Sequence, residues 1–292
     1  MKVLILGGTG MLGHQMIKEC IKSDTEWCTV VRNETLLKSA LGESVNGRCI
    51  ILDDIKYFNG LEAIIAERTP DFVINCIGVV KQSSFANDYL ESLTINSLLP
   101  HQLEKICTNN SARLIHISTD CVFDGKKGMY SEADFPDATD LYGRSKFLGE
   151  ISAGDPITLR TSIIGHELVQ DTHGLVEWFL TQGDKVNGYT NAIFSGLTTH
   201  ELSKLILQTI IPQNIPGGLY QVAVHPISKF DLLTVIANVY DKEVEIEKFD
   251  DFFCDRSLDG EKFNNLTGYL VPEWNQLIRE MRDDFESDIK NS

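Results

Sequence analysis

Lys2-Val3-Leu4-Ile5-Leu6-Gly7-Gly8-Thr9-Gly10-Met11-Leu12-Gly13 is the stretch that decides the fold. An apolar run enters a turn with glycines at 7, 10 and 13, and from Met11 to Ile21 apolar residues recur every three to four positions. The pattern is that of a buried strand, a tight turn and a helix. Glycine allows positive φ and close approach to a pyrophosphate, while the start of the helix offers unpaired N–H groups and the positive end of a dipole. Gly7, Thr9, Gly10, Met11, Leu12 and Gly13 are therefore the candidate cradle for the phosphates of a dinucleotide.

Working outward, short apolar runs at Cys28-Val31, Cys49-Leu52, Phe72-Cys76, Leu114-Ile117 and Ile157-Leu159 read as further strands. Helical patterns at Leu61 to Arg68 and Leu98 to Cys107 lie between them. Such alternation predicts an α/β fold, a Rossmann-type doubly wound parallel sheet with helices on both faces. Residues 1–163 are assigned to this NAD(P)-binding domain. Beyond about Ile164 the pattern changes to helices near Leu175-Leu180, Thr198-Ile211 and Ser228-Val239, separated by turns such as Pro216-Gly217-Gly218. Residues 164–292 are read as a smaller C-terminal substrate-binding lobe, interleaved with the first domain. The acidic stretch Asp283 to Asp288 reads as a solvated helix end.

The 292 residues carry a formal net charge of -16, which opposes attraction to nucleic acid or an anionic membrane. An anionic ligand must then be held by local amides and a few placed cations. The seven cysteines are scattered without C-x-x-C pairs or a companion His cluster, so they read as reduced thiols and no metal site is expected. The N-terminus shows no signal-peptide core and no apolar run reaches bilayer length, so the expected compartment is the cytoplasm.

The second strand ends Val30-Val31-Arg32-Asn33. An NAD fold places an acid there for the ribose 2′-hydroxyl; Arg32 instead suits a 2′-phosphate, so the expected cofactor is NADPH/NADP, with NAD as the alternative. Asp54 and Ile55, after the third strand, are candidates to flank the adenine.

Tyr142-Gly143-Arg144-Ser145-Lys146 puts a phenol and an ammonium at i and i+4, on one face of a helix expected to run to about Ile151. A phenol titrating near 10 is a poor donor at neutral pH, and the lysine is expected to lower that value. One strand earlier, His116-Ile117-Ser118-Thr119-Asp120 brings hydroxyls to the carboxyl edge of the fifth strand, where open α/β sheets bind ligands. Thr119 is the candidate to polarise a carbonyl, with Ser118 as substitute.

These residues resemble a family, the dTDP-4-dehydrorhamnose reductase-like sugar-nucleotide reductases among the extended short-chain dehydrogenases. The similarity lies in Ser118-Thr119-Asp120-Cys121-Val122-Phe123-Asp124-Gly125, Tyr130-Ser131-Glu132 and the Tyr142/Lys146 helix. It extends to Asn75-Cys76-Ile77-Gly78, Asn96, Leu159-Arg160-Thr161-Ser162, Pro226-Ile227-Ser228 and Arg256-Ser257-Leu258. The resemblance implies an oxidoreductase that moves hydride from NADPH to the 4-keto carbon of a dTDP- or UDP-linked 6-deoxyhexose, in making a cell-surface polysaccharide sugar.

In that reading Tyr142 donates the proton, Thr119 polarises the ketone, Lys146 orients the ribose and tunes Tyr142, and Asn96 supports the catalytic helix or a proton relay. Cys76, Ile77 and Gly78 join the cofactor site; Ser118, Asp120, Cys121, Arg160, Ile163 and Arg256 face substrate. Relatives occur as monomers and dimers, so a homodimer is compatible with the resemblance. Two departures bear on the sugar: Cys121 stands where a tyrosine is usual, and Ile163 where a tryptophan is common.

Two rivals stand beside this reading. One keeps the fold and changes the reaction to sugar-nucleotide 4-epimerisation or dehydration, although Cys121 replaces the acid that dehydration would want after Thr119-Asp120. The other is a non-catalytic NADP-binding regulatory subunit, like the β subunit of methionine adenosyltransferase. His14 and His116 are expected to be packed or locally hydrogen-bonded, His200-Glu201 to open a helix without a companion ligand, Trp178 and Phe179 to be core or cleft-edge aromatics, and Arg256 to meet either a phosphate or a surface carboxylate.

Overall fold

The structure, a computed structural model, describes residues 1–81, 87–168 and 174–291, the side chains of 288–291 excepted. Seven strands form its central sheet: β1 Lys2–Leu6, β2 Glu26–Val31, β3 Cys49–Ile51, β4 Phe72–Asn75, β5 Arg113–Thr119, β6 Ile157–Thr161 and β7 Gly218–Gln221. Their spatial order is β7-β6-β5-β4-β1-β2-β3, and every neighbouring pair is parallel. This is the expected doubly wound Rossmann-like sheet. The order reverses between β1 and β4, which opens a crevice at their carboxyl ends, the usual ligand position in such sheets.

Alternation along each strand explains why the sheet is buried on both faces. Val3, Ile5, Ile74, Ile115 and Leu159 pack on one side with Met16 and Ile17 of the first helix, α1 (Met11–Lys22), and with Leu277, Ile278 and Met281 of the C-terminal helix Trp274–Asn291. Leu4, Leu6, Val30, Val73 and Leu114 pack on the other with Leu61 and Ile65 of the helix Phe58–Arg68 and Leu99, Leu103 and Ile106 of the helix Leu99–Asn109. β7 comes from the chain beyond residue 164 yet completes the first sheet, pairing Tyr220 with Leu159 and Gln221 with Arg160. Smaller pairings build the lobe beside it: Ile227–Ser228 and Cys254–Asp255 flank Ala192–Phe194, and Glu245–Phe249 pairs with Lys185–Tyr189. Among the described residues no helix is long and apolar enough to cross a membrane.

The acidic C-terminal stretch is not wholly solvated, contrary to the sequence reading. Asp284 is buried and receives Lys18, Lys22 and Gln15 from α1, with His200 Nδ1 3.5 Å away. Burial pushes its carboxyl up, but hydrogen bonds from His200, Lys18 and Lys22 outweigh that and hold it far below the usual range. The depressed native value means that the unfolded chain binds more protons as pH falls below about 4, so this stabilising contribution fades in acid. Asp284→Asn is expected to destabilise the protein at neutral pH and to flatten the acid limb of its denaturation curve. Chemical-denaturation midpoints measured from neutral pH to pH 3 check this.

Candidate functional site

The first glycine turn has the geometry a pyrophosphate needs. Gly7 adopts φ 84°, and a Cβ on Gly13 would lie 2.0 Å from the Gly7 carbonyl oxygen, so the helix can start this close to the strand only without a side chain there. Gly10 caps α1 with no side-chain hydrogen bond, which leaves the first-turn amides free of a competing side-chain acceptor. His14 is buried and bonds the Gly10 carbonyl through Nδ1 at 2.9 Å.

A chain of contacts links this turn to Lys146. A Cβ on Gly7 would lie 2.8 Å from Ile77 Cγ1, and one on Gly78 would lie 3.9 Å from Lys146 Nζ and 3.4 Å from Asn96 Oδ1. Cys76 N donates to the Leu6 carbonyl at 3.1 Å, and Ile77 N donates to Asn75 Oδ1 at 3.1 Å. The segment Cys76-Ile77-Gly78 thus lies across the crevice, between the glycine turn and the amine.

The helix that bears Tyr142 and Lys146 runs over Leu141–Leu148, three residues shorter than expected, with Gly149 at its C-cap. Asp140 caps it by accepting from Gly143 N at 2.8 Å and also receives Lys81 Nζ at 2.8 Å. Close packing fixes its height: Cβ atoms on Gly143 and Gly149 would lie 2.2 Å and 1.9 Å from the carbonyl oxygens of Cys121 and Asn96. Asn96 is buried, accepts from Val79 N at 2.9 Å, and donates to Val79 O and Ser145 Oγ, both at 3.0 Å. All of these bonds tie the strand-end loop to the helix, so Asn96 acts here as a positioning residue.

Tyr142, partly exposed, lies beside Thr119, and Lys81 Nζ sits 5.7 Å from the centre of its ring. Burial raises the phenol's pKa above its ordinary value, and Cys121 adds to this; the Thr119 hydroxyl opposes. This corrects the expectation that Lys146 lowers it. Burial is the largest influence on the phenol, and the Lys146 ammonium is engaged elsewhere, donating to the Ile117 carbonyl at 2.7 Å. Thr119 Oγ1 accepts from Cys121 N at 3.1 Å and donates to Asp120 Oδ1 at 3.2 Å.

Burial pushes the Lys146 ammonium down to about 8, with Glu150 and Cys76 opposing. Its native value lies below the ordinary 10.5, so between about 8 and 10.5 the unfolded chain binds more protons and stability rises with pH. Lys146→Met is expected to remove that rise. Denaturation midpoints at pH 7.5 and about pH 9.5, compared between the two proteins, test it.

Other sequence-derived positions scatter. Arg32 is exposed at the end of β2, and among the described residues no hydrogen bond or ion pair engages it. Asp54 accepts from Lys56 N at 2.9 Å, and Ile55 leans on the core. Asp120 is buried, its carboxyl pushed up by burial against the pull of Arg256. Arg256 donates Nε to the Phe123 carbonyl at 2.8 Å, and Ile163 pairs with Leu197 beside the core. Trp178 is exposed and Phe179 fully buried.

Ser118 and Arg160 depart from expectation. Ser118 Oγ donates to Glu150 Oε1 at 2.6 Å, and Arg160 meets the same carboxylate through Nε at 2.9 Å and Nη2 at 2.6 Å. Arg160 also lies 5.0 Å from the Phe123 ring centre and is 2% exposed, so both side chains belong to a buried ion pair under the site and not to the cleft wall.

Residues 1–244 match the family model described as RmlD substrate binding domain. The chain belongs to that family. Among its relatives, a "Probable low-salt glycan biosynthesis reductase" of Haloferax volcanii is 31% identical over 44% of this chain and 46% of the relative. Methionine adenosyltransferase 2 subunit beta of Bos taurus is 31% identical over 51% and 41%. The RmlD-family chain therefore matches these curated relatives over less than half of their length. A hypothetical dTDP-4-dehydrorhamnose reductase from Sulfolobus tokodaii superposes with TM-score 0.77 at 25% identity, covering 94% of this chain and 98% of that one. A dTDP-4-dehydrorhamnose reductase from Bacillus anthracis, solved with NADP, shares the fold with TM-score 0.78 at 20% identity, over 97% and 99%.

Reading the RmlD-family sequence missed four residues that the fold brings to the site or beneath it: Lys81, Asp140, Glu150 and Lys229. Asp140 carried a signal, an acid three positions before Gly143 at a helix start. The other three arrive through long-range packing.

Proposed function

We propose that this chain reduces the 4-keto group of a dTDP- or UDP-linked 6-deoxyhexose with NADPH, supplying a sugar for a cell-surface polysaccharide. The supporting observation is the convergence of Thr119, Tyr142 and Lys146 at one sheet edge, joined to the Gly7–Gly13 turn through Ile77 and Gly78. A reduced nicotinamide, when bound, supplies the hydride. Gly7, Gly10 and Gly13 and the first-turn amides of α1 would hold its pyrophosphate, and the exposed Arg32 would suit an adenosine 2′-phosphate.

Tyr142 holds the proton that the developing alkoxide takes. Its raised pKa keeps the phenol protonated at neutral pH, and the Thr119 hydroxyl beside it orients the carbonyl oxygen. Lys146, reachable from Gly78, can donate to ribose hydroxyls on exchanging its bond to Ile117 O. Asn96, through Ser145 and Val79, holds the helix and loop at fixed spacing. Asp120, Cys121 and Arg256 are assigned to the sugar-nucleotide side of the cleft.

A second reading, a regulatory subunit that binds NADP without turnover, rests on the similarity to methionine adenosyltransferase 2 subunit beta over about half of the chain. Turnover separates the two. Incubation with NADPH and a panel of dTDP- and UDP-linked 4-keto-6-deoxyhexoses is expected to consume NADPH with at least one of them. Tight NADPH binding with no consumption across the panel would favour the regulatory reading.

A further inference from the structure

Lys229 opens the helix Lys229–Val239, behind Ser228, whose hydroxyl caps it by accepting from Asp231 N at 3.0 Å. The short strand Ile227–Ser228, which delivers it, pairs antiparallel with Ala192–Phe194, and Cys254–Asp255 pairs on the other side of that segment. This three-stranded patch carries Lys229 towards the sheet edge. Its ammonium sits 4.1 Å from the centre of the Phe194 ring, which is itself packed 5.6 Å from Trp274. A cation so placed is held on an aromatic face with its N–H bonds left over.

The patch that carries Lys229 abuts the loop after Thr119 and Asp120: Arg256, next to Asp255, donates to the Phe123 carbonyl at 2.8 Å, and a Cβ on Gly125 would lie 2.8 Å from the Cys254 sulfur. Lys229 interacts electrostatically with Asp120, Cys121 and Cys254; Arg256 faces the same three residues and Asp140 as well. Asp120 follows Thr119 directly and accepts its hydroxyl at 3.2 Å. Lys229 nevertheless has no carboxylate within ion-pair distance and no hydrogen-bond acceptor among the described residues. Burial pushes its ammonium down to about 8, with Asp120 the chief opposing influence. A part-buried donor group with three N–H bonds and no acceptor is costly to leave unmatched.

We propose that Lys229 is a substrate-recognition residue, whose ammonium donates to an oxygen substituent on the ring carbon beside the reacting ketone and so selects an oxygenated sugar over its deoxy counterpart. This rests on the proposed reduction and names a determinant of its substrate class. Thr119 and Tyr142 are assigned to the carbonyl, Asp120 is bonded to Thr119, and Lys229, on the neighbouring strand patch and within electrostatic reach of Asp120, carries unmatched donors. Losing a hydrogen bond from a charged group typically costs 1.5–3 kcal/mol, or about 10- to 100-fold in binding.

The test crosses two proteins with two ligands. Wild type and Lys229→Met are each assayed with a nucleotide-linked 4-keto-6-deoxyhexose and with its 3-deoxy analogue. Dissociation constants for both ligands come from equilibrium titration, and NADPH affinity serves as the folding control. The expected result is a KM and dissociation constant raised about 10-fold or more for the oxygenated ligand in Lys229→Met, little change for the deoxy analogue, and unaltered NADPH binding. Equal losses for both ligands, or no loss for either, would overturn the assignment. If neither protein turns over either sugar, the reduction itself fails, while the titrations still decide whether Lys229 reads the oxygen.

Discussion

Tyr142→Phe is expected to lower turnover by about 10²- to 10⁴-fold while leaving NADPH affinity nearly unchanged. The substitution removes one hydroxyl from the helix Leu141–Leu148 and disturbs nothing that holds it, because the cap at Asp140, the Ser145–Asn96 bond and the close contacts at Gly143 and Gly149 are made by other residues. In the proposed reduction the phenol, kept protonated by burial, is the group that gives its proton to the forming alkoxide. Steady-state kinetics alongside a fluorescence titration of NADPH measures both quantities. A variant that keeps more than about half of the wild-type rate would take the tyrosine out of the chemistry.

The largest effect on stability is expected at Glu150. Its carboxylate is buried, joined by two hydrogen bonds to Arg160 and by one to Ser118. Truncation to alanine leaves the Arg160 guanidinium 2% exposed and without its counter-charge, beside the uncommitted amide of Gln221. Breaking one side of such a pair typically costs about 3–5 kcal/mol, whereas replacing both members by apolar groups of similar volume is often nearly neutral. Glu150→Ala should therefore lose about that much in chemical denaturation, and Glu150→Leu combined with Arg160→Met should recover most of it. Equal destabilisation by the single and double variants would show that the pair contributes through packing and not through charge.

The parts of the molecule legible in the sequence are those whose meaning is local. The glycines at 7, 10 and 13 follow an apolar strand and open a helix within a dozen residues, and the i, i+4 spacing of Tyr142 and Lys146 survives in any helix. Strand existence was equally readable, although β2 begins two residues and β5 one residue before its apolar run. Sheet register was not. Ser118 and Arg160 sit side by side on adjacent strands, and their side chains turn to the face where Glu150 lies, a fact that no spacing in the chain discloses.

The same limit explains the tail and the far side of the cleft. Asp284 looked like part of a solvated acidic end because its cations, Lys18 and Lys22, are more than 260 residues away in sequence. Lys229 carries no local signal: the strand pairing of Ile227–Ser228 sets it against Phe194 and within electrostatic reach of Asp120. The expected pull of Lys146 on Tyr142 gave way to burial of the phenol, and burial depends on how the helix Leu141–Leu148 packs in the fold.

Deuterium transfer tests the central claim most directly. The protein is given NADPH labelled with deuterium at its transferable position and a nucleotide-linked 4-keto-6-deoxyhexose, and the sugar is recovered for mass and NMR analysis. The account predicts one deuterium at C4 of a newly formed alcohol for each NADPH consumed, and almost none from Tyr142→Phe under the same conditions. An unlabelled product, or a sugar interconverted with no NADPH consumed, would contradict it.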